Sequence, residues 1–104
     1  MNTLLIDTRD SARIKTGVKI KNKIKYITSN AKLLKAQAIL LLIDKILKLN
    51  NLKLKDISEI KVNTGPGSFT GLRVGISVAN ALGFFLKIPI NRKKVGKLVV
   101  PKYK

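Results

Sequence analysis

A chain of 104 residues is long enough for one domain around one core. Its 22 Lys plus Arg against 5 Asp plus Glu leave a net charge of +17, which attracts polyanions in a salt-sensitive way and raises nucleic acid as a partner. With no histidine and no cysteine, the composition excludes a Ser–His or Cys–His nucleophile, disulfides and the usual kind of zinc site, and it is compatible with a reducing cytoplasm.

The opening Met1–Asn2–Thr3 lacks the basic region of a secretory signal. The longest apolar run, Ala38–Ile43, is ended by Asp44 and Lys45 and falls far short of a bilayer span. The expectation is a soluble, cytoplasmic protein with no membrane partner. Two Tyr and three Phe are too few for an extended base-stacking platform.

Residues 3–8 are apolar and short, ending in Asp7–Thr8, and read as a buried strand. Ala12, Ile14, Val18 and Ile20 then alternate with Arg13, Lys15, Gly17 and Lys19, a period of two that marks a second strand with one apolar and one basic face. After a turn at Lys21–Lys23, Ile24, Tyr26 and Thr28 continue a third strand beside Lys25 and Ile27. Ser29–Asn30 can cap a helix running from about Ala31 to Leu49. Leu33, Ala36, Leu40, Ile43 and Leu47 form one stripe along it, and Leu34, Ala38, Leu41, Leu42 and Leu49 form a second. That is more apolar surface than one sheet covers. Asp56 can cap a short turn before a strand at Glu59–Thr64.

Residues 63–83 are the most distinctive stretch. Gly65, Pro66, Gly67 and Ser68 form a turn in which Pro66 donates no backbone hydrogen bond and Ser68 serves as a helix N-cap. In the helix that follows, Gly71, Gly75, Ala79 and Gly83 recur every fourth position as one ridge almost without side chain. Each interior glycine disfavours a helix by about 0.8–1 kcal/mol relative to alanine. Close approach by another element is the expected compensation, either the chain's own sheet or a partner. Val74, Val78, Ala81 and Phe85 make a second apolar face, so both helices carry surplus apolar surface. Ile88–Pro89–Ile90 reads as a short edge strand, and Asn91–Lys104 as a basic tail.

The predicted order is βββαβα with a short last strand, giving an α/β lobe whose mixed sheet runs 3-2-1-4-5 and carries both helices on one face. The other face is then expected to present Arg13, Lys15, Lys19 and Lys25, a candidate RNA contact. The glycine turn misses the P-loop and dinucleotide fingerprints, because no Gly–Lys–Ser/Thr follows it and Thr70 stands where a third glycine belongs.

Leu5–Ile6–Asp7–Thr8 and the run Gly65–Pro66–Gly67–Ser68–Phe69–Thr70–Gly71–Leu72–Arg73 resemble the TsaB family, over a region from about Thr3 to Ile90. The resemblance implies one lobe of the two-lobed actin-like ATPase (ribonuclease H-like) fold, with residues 1–90 as that lobe and 91–104 as a tail. It implies a non-catalytic dimerisation subunit of the machinery that makes threonylcarbamoyladenosine in tRNA, with no cofactor or metal of its own. The implied partners are the catalytic subunit TsaD, the associated ATPase TsaE, tRNA through the complex, and a second copy through the same helices. Leu34, Ala38, Leu41, Gly71, Gly75, Ala79 and Gly83 are the positions it would place at or near the TsaD contact. Two departures, Arg9 where the family tends to have serine and Asn91–Gly96 where a further motif normally follows, argue against a nucleotide cleft. The alternatives left open are a stand-alone basic RNA-binding module and a residual nucleotide-binding lobe in which Asp7 serves as a magnesium-associated carboxylate.

Overall fold

The computed structural model describes residues 1–10, 12–30 and 35–102. Strands β1 (Asn2–Asp7), β2 (Arg13–Ile20) and β3 (Lys23–Asn30) form an antiparallel meander. Helix α1 (Ala36–Leu49) and a 3₁₀ turn (Leu54–Asp56) lead into β4 (Glu59–Val62), and helix α2 (Phe69–Leu86) follows. β4 pairs parallel with β1, so the sheet runs β3-β2-β1-β4.

Leu4, Ile6, Ile14, Val18, Ile60 and Val62 share one face of the sheet, and Ile39, Ile43 and Ile46 of α1 with Leu72, Ile76 and Ala79 of α2 close over it as a single core. Both helices therefore lie on that face, as the handedness of the two crossovers requires. α2 is long and apolar enough, by length and composition, to cross a membrane, yet its inner side is buried on the sheet.

The expected fifth strand shrinks to one parallel bridge between Ile60 and Ile90. Ile60 N–H donates to the Pro89 carbonyl at 3.0 Å, and Asn91 N–H donates to the Ile60 carbonyl at 2.8 Å. Pro89 has no N–H with which to continue the ladder. From Asn91 onward the chain is fastened by side-chain amides. Asn91 Oδ1 accepts from Val62 N–H at 2.9 Å and its Nδ2 donates to the Val62 carbonyl at 3.0 Å. Asn80 grips Val99 in the same two-armed way, and Val99 is buried. Lys102 N–H then donates to the Thr64 carbonyl at 2.6 Å.

Two local expectations are corrected. Ser29 and Asn30 do not cap α1: they lie in β3, paired with Ile14 and Arg13, and the residue before the helix, Lys35, makes no side-chain cap bond. Residues 31–34, including Leu33 and Leu34, lie outside the described residues. The buried stripe of α1 is Ile39, Leu42, Ile43, Ile46 and Leu47, while Leu40 stays exposed.

Candidate functional site

The glycine turn is built as a junction. Gly65 has φ +119°, a conformation that L side chains rarely adopt, and an added Cβ would strike the Lys102 carbonyl. Asn63 Oδ1 accepts from Gly65 N–H at 3.0 Å. Pro66 is exposed, and a Cβ on Gly67 would meet the backbone and Cβ of Arg9. Ser68 caps α2, its Oγ accepting from Gly71 N–H at 3.2 Å.

The small-residue ridge faces inward. A Cβ on Gly71 would strike the Thr8 carbonyl oxygen, one on Gly75 the Thr8 hydroxyl, and one on Gly83 the Ile90 side chain, while Ala79 is fully buried. Thr8 itself is buried and donates its hydroxyl to the Gly71 carbonyl at 2.6 Å. Gly71, Gly75, Ala79 and Gly83 are thus filled by the chain's own loop after β1 and its Ile90, and they are not exposed for a partner. The glycines let α2 approach the β1–β2 loop closely, which offsets their cost to the helix.

The surplus apolar surface lies on the outer side of the helices. Leu40 and Leu41 on α1 and Phe84 and Phe85 on α2 are exposed, the two phenylalanines by 77% and 78%. A groove of about 340 Å³ runs between the helices, lined by Ala36, Leu40, Ser77, Val78, Ala81, Leu82 and Phe85. Of the predicted partner positions in α1, Leu41 is exposed and Ala38 is half-buried against the core. The second face that periodicity marks in α2 is divided by the packing: Ala81 and Phe85 are exposed, whereas Val78 is buried in the core and Val74 packs against it. The close fit of Thr8 against Gly71 and Gly75 fixes the side of α2 that turns inward.

Among the described residues, no helix covers the opposite face of the sheet. Pairing places residues that lie directly across from each other on the same face, so Lys15 and Thr28, Gly17 and Tyr26, and Lys19 and Ile24 share it. Lys61 joins it through Leu5, which also pairs with Gly17. Arg13 and Asn30 lie at its end. Lys25 does not belong there. It pairs with the buried Val18 and so sits on the helix side. The two-residue turn Lys21–Asn22, with Lys21 at φ 56°, pairs Ile20 with Lys23 and sets this register. Tyr26 lies on Gly17, where a Cβ would meet its ring, and Lys15 Nζ stands 4.2 Å from the ring centroid. A depression of about 460 Å³ spans the sheet from Tyr26 and Lys15 past Leu5 to Lys61, Asn91 and Arg92.

Arg9 holds both oxygens of the Asp7 carboxylate, with its Nε 3.2 Å from Oδ1 and a terminal nitrogen 3.1 Å from Oδ2. Arg9 N–H also donates to Oδ1 at 3.1 Å. Among the described residues, no group of three or more His, Cys, Asp or Glu could hold a metal ion.

Comparison with known proteins follows the same lines. The family model described as "TsaD: tRNA N6-adenosine threonylcarbamoyltransferase" matches residues 28–92. The chain is 39% identical over 71 residues to the tRNA threonylcarbamoyladenosine biosynthesis protein TsaB of Buchnera aphidicola subsp. Schizaphis graminum, an alignment covering 67% of this chain and 34% of that protein. It is 39% identical over 54 residues to the Escherichia coli (strain K12) protein of the same name, covering 52% and 23%. Among solved structures it resembles YeaZ from Pseudomonas aeruginosa, with a TM-score of 0.76 at 26% identity, covering 86% of this chain and 41% of that one. A structure of an uncharacterized protein with similarity to peptidase YeaZ from the same species gives 0.78 at the same identity and coverage. The alignments span at most about a third of the length of these curated relatives.

Proposed function

We propose, for a chain that belongs to the TsaB family within the matched threonylcarbamoyltransferase model and that carries an actin-like, ribonuclease H-like lobe, the role of a scaffold in making threonylcarbamoyladenosine in tRNA. In this role it performs no chemistry. It binds the catalytic subunit TsaD through the outer sides of α1 and α2 and works alongside the ATPase TsaE, reaching tRNA through the complex. The setting is cytoplasmic. Residues 1–90 act as the lobe and residues 91–104 as its basic tail.

The observation that carries this reading is an apolar strip along the groove that Leu40 and Phe85 line between two neighbouring helices, with Leu41 and Phe84 also exposed on those helices. One lobe leaves that strip in water, and helices of matching character on a partner would bury it in a helical bundle. Leu41 remains the central contact, and Phe85 and the groove beside Ala81 replace the glycine ridge. The same strip is open to a second copy when TsaD is absent. The residual nucleotide-binding reading has less support, because Arg9 already occupies the one carboxylate it would use.

The test is size-exclusion chromatography of the chain mixed with TsaD from the same organism, followed by modification of tRNA. Co-elution is expected, and L41K/F85K should abolish it without lowering the melting temperature, since both side chains are exposed. Separate peaks for the unaltered chain, with no gain in tRNA modification, would reject the scaffold role.

A further inference from the structure

The open sheet face has an arrangement that the scaffold role does not use. Tyr26 is an aromatic ring on an exposed strand, seated on the bare backbone of Gly17. The row Tyr26, Gly17, Leu5, Lys61 crosses all four strands, a distance of about 14 Å at the usual strand spacing. Lys15, Lys19 and Lys61 stand on this face, with Arg13 at its end. The acidic groups beside them are already matched. Asp7 is held by Arg9 at 3.1 Å and Glu59 by Arg92 at 3.9 Å. The lysines thus meet an incoming ligand as uncompensated cations around a ring and a half-buried leucine.

We propose that this face binds single-stranded RNA, with one base stacking on Tyr26 and the backbone phosphates following Lys15 and Lys61 across the depression and Lys19 on the same sheet face outside it. An exposed ring at the edge of a shallow depression suits an unstacked base, which a duplex does not offer. Lys15 now rests over the ring. A stacked base makes a stronger contact than an exposed cation over an aromatic face, so the base displaces the ammonium group, which is long enough to turn to the adjacent phosphate. Lys25, on the other side of the sheet, takes no part. The choice of RNA over DNA rests on the tRNA reading above, whereas the stacking and charge arrangement does not.

The experiment uses the chain without any partner, so it stands or falls separately from the TsaD test. A fluorescently labelled ten-nucleotide oligouridylate is titrated by anisotropy at several salt concentrations, with the matching DNA in parallel. Binding is expected at low salt, with a slope of log affinity against log salt of about −2 for three phosphate contacts. Y26A and Y26L should each weaken binding by about five- to a hundredfold without changing that slope, and Y26F should bind like the unaltered chain. K19A or K61A should reduce the slope by about 0.7. Y26L preserves an apolar contact on Gly17, so a folded Y26L that binds normally overturns the proposal. So does an unchanged slope in the K15A/K19A/K61A variant, tighter binding to DNA than to RNA, or a Tyr26-dependent homodimer that excludes the oligonucleotide.

Discussion

Asn80 grips the backbone of Val99 with both arms of its amide: Nδ2 donates to the Val99 carbonyl at 2.9 Å and Oδ1 accepts from Val99 N–H at 2.9 Å. One side chain on α2 thus stands in for a strand and fixes a segment that has no helix or ladder of its own. N80A leaves two backbone groups unpaired beside a buried valine. The expected loss is about 1–3 kcal/mol in urea unfolding, with faster amide exchange at Val99. Unchanged exchange there would show that Val99 is held by burial alone.

Thr8 couples to the glycine ridge. In G75A, alanine favours the helix by about 1 kcal/mol, while crowding a close-packed site costs about 1–3 kcal/mol. Crowding against the Thr8 hydroxyl should win. In a T8A background the same substitution should be neutral or stabilising by up to about 1 kcal/mol. An equal cost in both backgrounds in a double-mutant cycle would mean that Thr8 does not set the fit.

Thr16 is fully buried on the core face of β2, and its hydroxyl has no hydrogen-bond partner among the described residues. T16V preserves shape and removes an unpaired polar group, a change expected to stabilise by about 1 kcal/mol. For a domain of this size that raises the melting temperature by about 4–8 °C. A lower melting temperature by calorimetry would reveal a partner for that hydroxyl.

The register of β3 makes opposite predictions for two isoleucines. Ile27 pairs with Thr16 on the core side, and Ile24 pairs with Lys19 on the open side. I27D should destabilise by about 1–3 kcal/mol, while I24T should stay within about 0.5 kcal/mol. The reverse order in chemical denaturation would place β3 one residue out of register.

The local chemistry of the chain was enough to announce its elements. Period-two alternation marked β2, the Ser68 cap and the glycine turn marked the start of α2, and the excess of leucine and isoleucine showed that α1 could not be covered on every side. The order of elements and the handedness of their crossovers then left little freedom for the sheet. The cap of α1 lies elsewhere because Ser29 and Asn30, good capping residues in isolation, are drawn into the ladder that β3 forms with β2, where backbone bonds outweigh one side-chain bond.

Other features depended on neighbours distant in sequence. A ridge of glycines admits any close-fitting surface, and nothing along α2 states whether that surface is the chain's own. It became Thr8, 63 residues away from Gly71, because β4 beside β1 carries the turn over the β1–β2 loop. Likewise Ile24, Tyr26 and Thr28 against Lys25 and Ile27 is a pattern that either face can accept, and the two-residue turn before β3 decided it. Composition and periodicity determined that this chain has apolar and basic surface to spare. Only tertiary packing decided which side chains supply it, since inward and outward are relations between elements and not properties of any one of them.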